Sequence, residues 1–284
     1  MKGVAYILAF SLKGYDARMS SWIKLVVILL AVGIVGLAGA FQASNLMSDR
    51  GAFGPTILQS ISPFSALIAF TSIVAAGAIV GGFVSKITSP TNGMFVFGFG
   101  LFALSMNLTG GEEFLMSGGN YNLLAIEALL LSVIVLLGTL VVFAIGGPMR
   151  CIQTLNQKDP YLKQLLKIVM ISFVILPVIW FIAHTPNKGQ VLGASALGGI
   201  VIGLLFRQFL HSMQPVLLYA LPIAIGGVGY LIGINIAEVS PASFAQERMS
   251  TLLFPMPIEY SAGLVIGLAI GLGWTSSIEE HSDN

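Results

Sequence analysis

The stretch GGPMRCIQTLNQKDPYLKQLLK, residues 146–167, is the only internal segment of the chain that is both polar and basic. Arg150, Lys158, Lys163 and Lys167 stand in it, with four long apolar runs on each side. A cationic loop between hydrophobic segments stays on the cytoplasmic face of a bilayer. These four residues therefore set the topology, and the side of every other loop follows by alternation.

Composition names the solvent. Charged residues make up 9% of 284 and apolar residues 56%, against about 25% charged in a soluble domain. So few charges cannot coat a globule of this length, and lipid must cover most of the surface. The net charge of +1 is spread without a basic patch, which argues against nucleic acid as a partner. Cys151 is the single cysteine, so there is no intrachain disulfide and no pair for zinc or iron–sulfur ligation. Glycine is in excess, 33 residues, and lies inside the apolar runs, where it lets helix backbones approach closely.

Working outward from the central loop, the spanning candidates are 22–46, 64–84, 93–108 and 123–145 before it, and 166–183, 191–206, 216–236 and 258–274 after it. Several fall short of the roughly 20 residues that a 30 Å hydrocarbon core asks for, so length is the weak point of the count. Residues 1–21 hold a short apolar run between Lys2 and Lys13 and read as a cytoplasmic or interfacial segment. Met19 is an alternative start, and 22–43 has a second reading as a cleaved signal. Residues 275–284 form an acidic tail.

Loop charges test the count. With the amino terminus cytoplasmic and eight crossings, Lys2, Lys13, Arg18, Lys24, Lys86, Arg150, Lys158, Lys163, Lys167 and Arg207 lie inside, while Arg50, Lys188 and Arg248 lie outside. That asymmetry is the expected cytoplasmic bias. Were 93–108 re-entrant, the central loop would move outside and the bias would reverse. The expected fold class is therefore an all-α polytopic membrane protein of about eight spans, with both termini cytoplasmic and no soluble domain, in the cell (inner) membrane. The transmembrane domain covers 22–274, with 4+4 halves split at 146–167 as a topologically allowed repeat. The long outer loop before the last span contains Ser240-Pro241, an N-cap and first-turn proline; a surface helix over 241–253 competes with an irregular loop.

Small residues mark packing faces. Gly263, Gly267 and Gly271 recur every four residues, as do Gly77 and Gly81, Gly199 and Gly203, and Gly229 and Gly233. Such stripes bring helices close through dispersion contacts. They suit packing within one bundle, a subunit interface or a sliding surface.

Glu127 in NLLAIEALLL and Glu259 in PMPIEYSAGL are acidic residues near the outer ends of the fourth and eighth spans. A carboxylate in the apolar zone suggests a role, yet one in the first turn of a helix is also favoured by the backbone dipole. Both are expected within reach of interfacial water. Asn107, His184 and Asn235 lie at the same level and complete a candidate outer vestibule for a cation or proton; Gln42, Asn45 and Gln190 are neighbours in depth. Pro177 and Pro222 mark expected kinks. His184, His211 and His281 fall on different sides and cannot form one metal site. No cofactor motif, hydrolase elbow or phosphate loop is present, so no enzyme activity or cofactor is expected. Asn107-Leu-Thr109 fits a glycosylation sequon.

Three functional classes remain on these residues: a transporter or permease for a small solute or ion, a non-catalytic membrane subunit or scaffold packing on partners or on its own copies, and, third, an enzyme on lipid-linked substrates. The bilayer is the one partner common to all three.

Overall fold

The computed structural model describes residues 20–149, 161–210 and 213–282, with the side chains of Tyr161 and of residues 275–282 excepted. Arg150, Cys151, Lys158, His211 and the amino-terminal run 1–19 lie outside the described residues, as does the His281 side chain.

The described residues form eleven α-helices and no named strand, only an isolated bridge between Met47 and Phe53. In order they are α1 (Ser21–Gln42), α2 (Pro63–Ile87), α3 (Pro90–Met106), α4 (Gly111–Met116), α5 (Tyr121–Gly146), α6 (Tyr161–Ser172), α7 (Ile175–Ile182), α8 (Lys188–Leu210), α9 (Leu221–Ile236), α10 (Pro241–Ala245) and α11 (Pro257–Ser282). Among the described residues seven stretches are long and apolar enough to cross a membrane, and α3, at 17 residues, is shorter. The chain is thus a helical, multi-pass membrane protein.

Local chemistry sets the helix ends. Ser89 Oγ accepts from the Asn92 N–H ahead of α3, and Ser240 Oγ accepts from the Ser243 N–H ahead of α10. In both, proline follows at the first turn, where its missing N–H costs nothing. The α5 helix stops at Gly147, whose φ of +88° is open to glycine at little cost.

The fifth segment is two helices rather than one bent rod. Pro177 cannot donate to the Phe173 carbonyl. The chain tightens instead, with Leu176 N–H donating to Phe173 O at 3.1 Å between α6 and α7. Pro222 makes no mid-helix kink: it lies in the first turn of α9, after a 3₁₀ turn at Leu217–Tyr219. The surface helix expected over 241–253 is only α10 followed by a 3₁₀ turn at Thr251–Leu253, with Leu252 and Leu253 buried.

Two ends of the bundle can be told apart. One carries the loops 43–62, 107–120, 183–187 and 237–256; the first two are tied by Thr109 N–H to Phe53 O at 2.7 Å, a reciprocal Gln59–Asn120 clasp and Arg50 to Met116 O at 2.6 Å, and Gly110 and Gly111 pack on the backbone of Pro186 and Phe254 in the other two. At the opposite end Gln214 clasps the backbone of Met149 through bonds of 3.0 and 2.9 Å. The α3 helix runs from that opposite end to the loop-capped end, antiparallel to α2, with Gly93 facing Gly81 and Phe97 facing Gly77.

The glycine stripes are covered by the chain itself. A methyl on Gly263 would meet Ser195 Cβ at 2.5 Å, one on Gly271 would meet Ile200 O at 2.5 Å, and one on Gly267 would run into the Ala196 carbonyl. Gly199 and Gly203 face α11 in return, so α8 and α11 form one parallel, closely packed pair. Gly77 and Gly81 pack on α3, Gly229 on Leu176, and Gly233 on Leu253. In contrast, only 17% of the apolar window of α1 is buried, against 78% for the last span.

Candidate functional site

Glu127 and Glu259 each stand on one helix of a parallel pair. α2 and α5 run parallel, with Val74 at Gly138 and Ser85 at Gly146, and so do α8 and α11. Each glutamate lies near the loop-capped end of the second member of its pair. Neither reaches water from this surface, contrary to the expectation for that depth: Glu127 is 0% exposed and Glu259 1%.

Glu127 is the seventh residue of α5, in its second turn rather than its first. Helix-dipole stabilisation falls off within one turn, so it does not explain this carboxylate. The loop does. Residues 55–57 are buried, and the N–H groups of Ile57 and Leu58 donate to Glu127 Oε1 and Oε2 at 2.9 and 3.0 Å. The carboxylate satisfies two backbone donors that dip below the surface, and each carboxylate oxygen gains a charge-assisted bond.

Glu259 does lie in the first turn of α11, and its Oε2 accepts the Met256 N–H at 2.8 Å, the return bond of a capping box. Its Oε1 is 3.4 Å from Lys188 Nζ. Lys188 opens α8, where a cation opposes the helix's own dipole. Its position is explained from outside that helix: Nζ also donates to the Ser105 carbonyl in the last turn of α3, the negative end of that dipole. One ammonium therefore joins the starts of α8 and α11 to the end of α3. Lys188 was expected only as an outer-loop cation. The signal that marked it was a lysine at the first position of a helix, against the dipole.

The three helices that hold this pair also carry unsatisfied hydroxyls. Ser105 Oγ, Ser195 Oγ and Tyr260 OH are buried without a hydrogen-bond partner. Ser195 lies against Gly263, one turn inward from Glu259. Tyr230 packs edge-on to Tyr260 with ring centroids 6.0 Å apart and donates to Pro255 O. The remaining proposed residues are not drawn in. Asn107 and Asn235 are exposed and donate to Ala103 O and Leu231 O of their own helices, and His184 is exposed. Among the described residues no three His, Cys, Asp or Glu side chains come together as a metal would require.

No protein-family model matches the chain, and neither a curated protein nor a solved structure matches it.

Proposed function

We propose that the chain is an eight-span carrier of a small solute or ion in the cell (inner) membrane, with both termini and the basic central loop cytoplasmic. The loop-capped end then faces outward. Its α3, about 26 Å long at 1.5 Å per residue, nearly matches the hydrocarbon core, and its end-to-end packing along α2 supports counting it as a span. The 4+4 reading draws support from equivalent pairings: α2 with α5 and α8 with α11 within halves, α3 on α11 and α9 on α5 between them. In parallel repeats of this kind, the site lies where the halves meet.

The observation that carries the carrier reading is the buried Lys188–Glu259 pair at the junction of α3, α8 and α11. Buried ion pairs are poor stabilisers compared with apolar packing, and ionisable groups inside a membrane domain are kept for a role. The unpartnered hydroxyls of Ser105, Ser195 and Tyr260 on the same three helices supply further polar groups for a solute. In this role Lys188 and Glu259 hold the outer access closed and exchange their mutual contact for the solute, while Glu127 anchors the loop above.

Proteoliposomes carrying a pH-sensitive dye, placed under proton, Na⁺ or K⁺ gradients, test this. Flux above that of empty vesicles should vanish in Glu259→Gln and Lys188→Met while both variants remain folded. Wild-type flux no higher than the vesicle background, or undiminished flux in Glu259→Gln, rejects it.

A second reading, a non-catalytic subunit, rests on α1, which turns Leu30, Leu37 and Phe41 outward at 64%, 73% and 87% exposure. Recovery of a stoichiometric partner in mild detergent, lost on Leu37→Ser, would favour it.

A further inference from the structure

The fifth span is built as a stem and an arm that meet at a soft joint. Between α6 and α7, Val174 N–H donates to Ile171 O and Leu176 N–H to Phe173 O, both at 3.1 Å. Two tight three-residue bonds thus stand in mid-span, and a 3₁₀ stretch inside a helix is where a hinge is expected. Two side chains maintain the break. Pro177 has no N–H for the Phe173 carbonyl, and Ser172 Oγ donates back to Ile168 O at 2.8 Å, a bond that bends helices. Phe173 and Pro177 both face outward, so no neighbouring helix wedges the joint at one angle.

The two sides of the joint are held differently. α7 is the stem: Ile175 fills the notch at Gly198 of α8, and Leu176 fills the one at Gly229 of α9. Its last carbonyls are bonded from two directions, Ile182 O by Gln190 Nε2 at 2.8 Å and Trp180 O by Thr251 Oγ1 at 3.2 Å. α6 turns Leu162, Leu166 and Met170 outward. A groove of about 350 Å³ runs beside it, lined by Leu166, Met170 and Ile171 together with Phe209 near the end of α8. Close packing is what makes a helix contact rigid, and on this side α6 has room to move.

We propose that the fifth span is a hinged arm: α7 stays seated while α6 swings about Phe173–Val174 at the end opposite the loop cap. A change of about 20°, the size of a sharp kink, displaces Leu162 by about 6 Å at 1.5 Å per residue from Phe173. The swing uncovers Ile168 and Ile171, which are buried here. Its role rests on the carrier reading: it opens the cytoplasmic access while Lys188 and Glu259 keep the outer one closed. The hinge itself stands without that reading.

Double electron–electron resonance on the full chain in nanodiscs tests the hinge without requiring transport. In a Cys151→Ser background, spin labels at Leu162→Cys and Trp22→Cys report α6 against the start of α1, at the same end of the bundle. Labels at Phe181→Cys and Phe41→Cys report α7 against the other end of α1. The first pair should give two distance populations about 6 Å apart, and the second pair one. Pro177→Ala, which returns an N–H to the break, should leave the first pair with a single population. Joining Leu166→Cys to Phe209→Cys with a short bismaleimide should bring proton, Na⁺ or K⁺ flux in proteoliposomes down to that of empty vesicles. One narrow population for the first pair, or equal splitting in both pairs, overturns the hinge. So do two populations that persist unchanged in Pro177→Ala. Two populations with flux unaffected by the cross-link overturn the access role, whereas two populations in a protein without any flux uphold the hinge and reject the carrier reading alone.

Discussion

Glu127 shows how a residue can be found by sequence and yet misread. A carboxylate inside an apolar run stands out in any membrane sequence, and both glutamates were legible for that reason. What each one touches was not, because Ile57 and Leu58 are 70 and 69 positions from Glu127. The apolar pair Ile57-Leu58 between polar Thr56 and Gln59 was the available sign that this part of the loop turns inward. Two buried N–H groups now depend on one side chain. Glu127→Leu should cost on the order of 3 kcal/mol, since each orphaned buried donor costs about 1–3. Glu127→Gln, which keeps a single acceptor, should cost about half as much. Unfolding by SDS titration reads the stability, and amide exchange at Ile57 and Leu58 reads the cause; unchanged protection of those two amides would contradict the anchoring role. The Lys188–Glu259 pair calls for a different measurement, because removing either partner strands the other. Lys188→Met and Glu259→Gln should each cost about 3 kcal/mol, the low end for a buried pair because the Lys188 side chain is 19% exposed. The double variant should cost less than the two together by about 1–3 kcal/mol. Strict additivity in that cycle would mean that the two charges do not act on each other.

At the scale of the element, periodicity identified faces but not their covers. The four-residue spacing of Gly263, Gly267 and Gly271 predicts a smooth stripe whatever lies against it, and only the three-dimensional packing assigns that stripe to α8. The same limit applies to Pro177, whose lost donor was readable, while the tightening of the chain at Phe173 depends on how the freed carbonyl is satisfied. The glycines divide into two energetic classes that spacing cannot separate. Gly267→Ala drives a methyl into the Ala196 backbone, which cannot swing aside as a side-chain tip would. Overpacking of this kind costs about 1–3 kcal/mol, more than the roughly 1 kcal/mol that alanine gains over glycine within a helix. At Gly193 a Cβ meets nothing within 4 Å, so Gly193→Ala should be neutral or stabilising by up to about 1 kcal/mol. Thermal unfolding in one detergent should therefore move in opposite directions, or fall for Gly267→Ala alone. Equal loss in both variants would mean that helix propensity, not the α8–α11 contact, governs these sites.

For the whole molecule, the wiring rests on α3, which among the described residues is the apolar helix that falls just short of a span by length. Sequence could count charges on either side of it but could not weigh its 17 residues, because a helix sheltered by neighbours needs less apolar length than one facing lipid. Here α3 is packed against α1, α2 and α11. Its far end is held at the loop cap through Lys188 on the Ser105 carbonyl and Thr109 on Phe53 O. Those bonds would have to break for α3 to turn back. Two exposed residues bracket it, Lys86 near the end of α2 and Glu112 in α4. In a Cys151→Ser background, Glu112→Cys should react with a membrane-impermeant maleimide on sealed cells, and Lys86→Cys only after permeabilisation. Reaction of both from one side would make α3 re-entrant and reduce the count to seven. Every later segment would then invert, moving Arg150, Lys158, Lys163 and Lys167 outside against the cytoplasmic bias of cationic loops. The labelling pattern and the charge asymmetry thus stand or fall together, because both depend on whether this one helix crosses.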